Sequence, residues 1–256
     1  MDNLTFVDDN NTTGIENGTA ENPYNTIQEG VNAANSPVYV FSGMYNENVV
    51  MRANVDLYGE GYGIPGMGGR VFGGQVYPVA NGRSRGPTFT MVSNSSITGM
   101  RILNTDVPGA PPILDFVAGN PYDISRVAVF GHDANNILIR QNQIGRSQHG
   151  IFLGVDSTPN YVARLQGNRI SGAVDDGVRV EAVGGPGSSF TLLSGGNSYS
   201  GNGSDGIDVD EEDFDNVFLS FAGDRASGNQ NDGIDMDSCE DNFDMLVQIR
   251  NSTANN

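Results

Sequence analysis

Carboxylates are the residues most able to do chemistry in this chain, and they crowd late: Asp205, Asp208, Asp210, Glu211, Glu212, Asp213 and Asp215, then Asp232, Asp235, Asp237, Glu240, Asp241 and Asp244. Two runs alternate acid with aliphatic, Ile207-Asp208-Val209-Asp210 and Ile234-Asp235-Met236-Asp237. Period-two alternation marks a strand with one face buried, which puts the four aspartates outward. If the two runs stack, Asp235 and Asp237 stand over Asp208 and Asp210. Like charges about 5 Å apart repel by roughly 1 kcal/mol even in water. A hard cation relieves such a stack, and Ca²⁺ suits it, taking about six to eight oxygens in irregular geometry. Asp208, Asp210, Asp235 and Asp237 are therefore the candidate metal ligands. The competing reading is a solvated acidic face that keeps the protein soluble. No segment has the EF-hand spacing, so a cation would sit between copies. Arg179 and Glu181 fall in the same columns one copy earlier, where Arg179 offsets only the lower edge.

The composition sets the partners. The 256 residues carry 13 Arg and no Lys against 31 Asp and Glu, a net charge of −18. That excludes nucleic acid as an expected partner, because phosphate binding needs a basic face. Anionic membrane surfaces are disfavoured likewise, and no apolar run of about 18 residues offers a span. A single cysteine, Cys239, excludes an intrachain disulfide framework and a multi-Cys zinc site.

What must position these side chains is a repeat. Four segments align on glycine and an aliphatic: His149-Gly150-Ile151, Asp176-Gly177-Val178, Asp205-Gly206-Ile207 and Asp232-Gly233-Ile234. A second column reads Asn142, Asn168, Asn197, Asp224 and Asn251; Ile137, Ala163, Leu192, Leu219 and Leu246 precede it by five. Each copy of about 27 residues is too short to bury its own apolar face, so copies stack. The reading is an all-β parallel solenoid, with equivalent residues about 4.8 Å apart up the stack. Stacked Asn side chains at a turn then hydrogen-bond amide to amide. Near the start, Thr26-Ile27-Gln28-Glu29 is a capping box, and Ile27, Val31 and Ala34 mark one face of a short helix. That helix is placed to cap the solenoid's first end.

Gly18-Thr19 and Asn22-Pro23-Tyr24-Asn25-Thr26-Ile27-Gln28-Glu29, then Val38 to Glu47 and Leu57-Tyr58-Gly59-Glu60-Gly61, resemble the opening of right-handed parallel β-helix proteins of the pectin-lyase-like superfamily. Ser42 stands where that opening often has Pro. The stretch from Phe6 to Gly59 is similar to passenger modules of bacterial surface proteins. The resemblance implies a right-handed helix and an extracellular or cell-surface location; it does not specify function, because the fold hosts lyases, hydrolases, epimerases and non-catalytic proteins. Residues 1–256 are expected to form one domain: 1–60 cap and first coils, 61–90 a loop excursion, 91–256 regular coils with the last unfinished. An unfinished coil exposes strand edges and the column topped by Leu246, which predicts self-association through the carboxy-terminal end.

The enzyme reading is incomplete. Pectate-lyase-like members pair Ca²⁺-binding acids with a basic proton abstractor, and Arg179 is the one residue placed for it. Galacturonan hydrolases of this fold are echoed in Asn104-Thr105-Asp106, Gln148-His149-Gly150 and Asp175-Asp176, but in the wrong order and without the final element. His149 takes the turn position that Asp holds in the other copies. His132, Cys239 and Gly66-Met67-Gly68-Gly69 carry no constellation. The leading expectation is a non-catalytic extracellular or cell-surface module with a structural, adhesive or glycan-binding role, its partner a polysaccharide or cell-surface ligand. The alternative is a Ca²⁺-dependent lyase or related enzyme acting on acidic polysaccharide.

Overall fold

The computed structural model describes residues 4–34, 37–62, 76–82, 85–105, 111–238 and 244–255. Gly66 to Gly69, Asp106, Cys239, Glu240 and Asp241 lie outside these. The chain winds as a parallel β-helix with three sheets, visited in the order I, II, III in each coil. Sheet I stacks Thr5–Val7, Val38–Val40, Asp56–Gly59, Ser96–Thr98, Ile137–Arg140, Asn160–Gln166, Ser189–Gly195, Asn216–Ala222 and Asp244–Arg250. Sheet II stacks Met44–Tyr45, Val79–Gly82, Arg101–Asn104, Gln143–Gly145, Arg169–Ser171, Ser198–Ser200, Arg225–Ser227 and Thr253–Asn255. Sheet III stacks Val49–Val50, Phe89–Thr90, Val129–His132, Ile151–Val155, Val178–Val183, Ile207–Glu212 and Ile234–Ser238.

Inward columns close one core. Ile102, Ile144, Ile170, Tyr199 and Ala226 fill the sheet II side, and Ile151, Val178 and Ile207 the sheet III side, all buried. Gly150, Gly177 and Gly206 stand where successive coils touch. A Cβ on Gly177 would meet the Gly206 carbonyl oxygen at 2.6 Å, so the repeat's glycine is a close-approach residue. Between sheets I and II the Asn column is a ladder. Asn142 N and Nδ2 donate to Asn168 Oδ1, and Asn168 N and Nδ2 donate to Asn197 Oδ1. Each Nδ2 also reaches a sheet I carbonyl: Ile97, Ile139 and Leu165 in turn. The buried amides of Asn142, Asn168 and Asn197 are thereby satisfied.

The capping helix spans Ile27–Ala33 with Ile27, Gly30 and Val31 buried and both halves of the Thr26–Glu29 box formed. Glu47 closes its amino end by accepting from Ile27 N at 2.8 Å and Gln28 N at 3.0 Å.

Two expectations about spacing are corrected. The last coil is one residue longer than its sequence alignment suggests. Glu211 pairs with Ser238 and Asn216 with Asp244, so four intervening residues are matched by five. Val247, not Leu246, therefore continues the Leu219 column, and Ser252, not Asn251, takes the ladder position above Asp224. Leu246 points outward and is exposed. The expected excursion over 61–90 is also too wide, because Val79–Gly82 and Phe89–Thr90 are rungs of sheets II and III. A second excursion interrupts the coils between Asn104 and Val129. It contains an antiparallel hairpin, Leu114–Val117 with Asn120–Asp123.

Candidate binding cleft on sheet III

The hairpin turns at Ala118 and Gly119, both with positive φ (47° and 84°), as a two-residue turn matched to strand twist demands. It folds back over the outer face of sheet III. Val117, Ile124, Val127, Phe130 and Phe152 form a small apolar cluster beneath it. Gly154 lets it come close: a Cβ there would lie 2.6 Å from Val117 Cγ2. Polar pins hold the rest. Ala118 N donates to Asp156 Oδ2 at 2.7 Å, His132 Nδ1 lies 2.7 Å from Asp115 Oδ2, and Tyr122 Oη donates to Glu181 Oε2 at 2.7 Å. Burial acts to raise the Asp156 pKa, but the Ala118 amide, Ser157 and His132 outweigh it and hold the carboxyl below its usual range. Burial and the bond to Glu181 push the Tyr122 phenol up.

Hairpin and sheet enclose a cleft of about 340 Å³, lined by Val117, Asn120 and Tyr122 on one side and by Arg179, Glu181 and Asp210 on the other, with Asp237 above. Register explains the acids. Arg179, Asp208 and Asp235 are one outward column, and Glu181, Asp210 and Asp237 the next. Arg179 sits among them and forms ion pairs with Glu181, Asp208 and Asp210. Burial opposes its charge, but Glu181, Asp210 and Asp176 outweigh burial and push its pKa above the ordinary value. Asp210 is pushed up, first by burial and then by Glu181, Asp237 and Asp235, with Arg179 pulling the other way.

The four aspartates expected to share a cation divide. Asp210 is engaged by Arg179, and Asp237 lies at the cleft rim. Asp208 also pairs with Arg179 but, like Asp235, meets the turn aspartates that precede each repeat glycine. Oxygens of Asp176, Asp205 and Asp208 lie within 4.8 Å of one another, as do those of Asp205, Asp232 and Asp235. This turn column is a ladder of its own: Asp205 N donates to Asp176 Oδ1 at 3.1 Å and Asp232 N to Asp205 Oδ1 at 2.6 Å. Below it, His149 Nδ1 stands 3.3 Å from Asp176 Oδ2, with Asp175 at 3.9 Å from Nε2. The turn thus brings Asp175 and Asp176 to one histidine, where a plain strand would have sent them to opposite faces. Sequence reasoning missed Asn120 and Tyr122; the signal was Ala118-Gly119 directly after the apolar run Ile113 to Val117.

No family model matches the chain, and no curated protein matches it in sequence. Solved structures do match in fold. A pectin methylesterase in complex with a hexasaccharide is 13% identical, with a TM-score of 0.50, covering 91% of this chain and 66% of that one. Pectin methylesterase PemA from Erwinia chrysanthemi is 14% identical, with a TM-score of 0.50, covering 87% and 65%. The mannuronan C-5 epimerase AlgE4 A-module of Azotobacter vinelandii is 16% identical, with a TM-score of 0.43, covering 93% and 74%. This chain spans about two thirds of the length of the two methylesterases. Its fold is the right-handed, pectin-lyase-like β-helix, as the opening of the sequence implied. No helix among the described residues is long and apolar enough to cross a membrane.

Proposed function

We propose that the protein is an extracellular β-helix module, of bacterial origin, that binds a glycan in the sheet III cleft without cleaving it. The cleft carries this reading: a rigidly pinned hairpin faces a row of carboxylates and a phenol, groups that accept and exchange hydrogen bonds with sugar hydroxyls. A pectin methylesterase of this fold holds a hexasaccharide, which supports a glycan as ligand. Arg179 supports the non-catalytic half. A proton abstractor must give up its own proton first, and three carboxylates hold this guanidinium charged.

Ca²⁺ belongs to the same reading. The donors around Asp208 and Asp235 are all oxygens, and Asp176, Asp205 and Asp208 are buried, a set that suits a hard cation. Asp176, Asp205 and Asp208, or one coil up Asp205, Asp232 and Asp235, would hold it, and it would offset their repulsion and offer a bridge to a sugar carboxylate.

The second reading, an enzyme acting on acidic polysaccharide, rests on Asp210, a carboxyl with a raised pKa beside Glu181 and thus suited to general-acid work. Calorimetry with oligouronates and neutral oligosaccharides, with and without calcium, tests the binding. Wild-type affinity that falls at least tenfold in Glu181→Gln is the expected result. Unsaturated or shortened products that vanish with Arg179→Ala or Asp210→Asn would overturn the non-catalytic reading.

A further inference from the structure

The outer face of sheet II is the electrostatic opposite of sheet III. Its first outward column reads Arg101, Gln143, Arg169, Ser198, Arg225 and Thr253 up successive coils. The next reads Ser171, Ser200 and Ser227. Across residues 141–147, 167–173, 196–202 and 223–229 the only acid is Asp224, which is buried. Arg101, Arg169 and Arg225 are exposed, and none has a carboxylate partner among the described residues. In a chain with 31 acids and 13 arginines, three unpaired guanidinia in one column run against the prevailing charge. The face is also open. Gly196 and Gly223 have φ of 65° and 73°, a left-handed backbone that favours glycine, and nothing lies within 4 Å of where their Cβ would be. Between these turns runs a shallow trough of about 670 Å³ lined by Arg169, Asn197, Ser198, Ser200 and Arg225.

From this we propose that the outer face of sheet II is a second binding site, one that takes a linear acidic polysaccharide lying along the solenoid axis. The three arginines stand two coils apart, at about 10 Å intervals. Each guanidinium offers forked donors to a carboxylate or sulfate, and the serine column beside them meets hydroxyls. Spacing selects the polymer. Duplex nucleic acid carries one charge per about 1.7 Å, far denser than these arginines, and would meet the full repulsion of the acidic remainder. Among the described residues the face also lacks an aromatic platform for unstacked bases. A sparse polyanion fits. The site is separate from the sheet III cleft, and either can fail alone.

The test is affinity electrophoresis and calorimetry of the full chain against polygalacturonate, the same polymer methyl-esterified, and a single-stranded oligonucleotide of equal length. Arg169→Gln/Arg225→Gln should weaken polygalacturonate binding at least tenfold and flatten its salt dependence. A charge-matched Arg164→Gln/Arg250→Gln pair, on sheet I, should retain this affinity. The esterified polymer should bind weakly to all of them. Polygalacturonate binding unchanged in the sheet II pair, or lost equally in the sheet I pair, would overturn the proposal. So would tighter binding of the oligonucleotide, or a dimer in sedimentation that the sheet II pair alone dissolves.

Discussion

Sheets II and III grow from the same coils by the same rule, an inward aliphatic column and an outward column in strict register, yet their outer faces have opposite electrostatics. On sheet III a single guanidinium is shared by Glu181, Asp208 and Asp210, and further acids stack above it. On sheet II three guanidinia stand without a partner among the described residues, separated by neutral side chains. Register turns a choice made once per coil into a stripe of one sign. A crowded stripe is a stability problem that invites a counter-charge, whereas a sparse one is free to meet a ligand.

The largest test of this contrast is Arg179→Met. Removing the shared cation leaves partly buried carboxylates uncompensated, a loss of about 3–5 kcal/mol. Urea unfolding should show it, and a loss under about 1 kcal/mol would mean that solvent already screens the acids. Next is calcium. If Asp205, Asp232 and Asp235 hold the ion, a hundredfold excess over Kd adds about 2.7 kcal/mol. Thermal melts should rise with millimolar calcium, and Asp235→Asn should reduce the rise; a melt indifferent to calcium and chelator leaves the solvated-face reading.

A smaller effect lies at the corner between sheets I and II. Asp224 replaces asparagine in the ladder, accepting from Asn197 N and Nδ2 through Oδ1, while its buried Oδ2 finds no hydrogen-bond partner. Burial pushes its carboxyl up, against the opposing pull of Asn197 and Ser194. A folded state that holds the proton more tightly than the unfolded chain loses that contribution as pH rises through the folded pKa. Wild-type stability should therefore fall with pH between the ordinary aspartate value and the raised one. Asp224→Asn restores a donor, should be flat across that window and should gain about 1 kcal/mol at neutral pH. Smallest of all, Arg169→Gln and Arg225→Gln should each move stability by less than about 0.5 kcal/mol. A larger loss would mean that those guanidinia are structural and that the two faces differ less than their charges suggest.

The coil was legible because burial enforces it: the period-two aliphatics and the repeat glycine must recur wherever coils touch. The pairing of Asp208 with Asp235 followed from that period alone. The last coil slipped by one because its extra residue falls between Ser238 and Asp244, where no apolar column marks the register. The hairpin was hidden for a related reason. Its apolar side chains pack on the outside of sheet III, so Phe130 and Phe152 carry the signature of a core that is not the solenoid's. The turn aspartates Asp176, Asp205 and Asp232 were visible as a column, but a linear reading placed them beside the glycine and not beside Asp208 and Asp235.

The asparagine ladder has a direction. Met100 N donates to Asn142 Oδ1, Asn142 N to Asn168, Asn168 N to Asn197 and Asn197 N to Asp224, so each of these backbone donors points toward the later coils. Aligned amides polarise one another. Their dipoles add as those of a helix do, with the positive end where the N–H groups point. That end meets a carboxylate. One corner of this β-protein thus carries an axial dipole with its anion in place, the arrangement a helix achieves with an acid in its first turn.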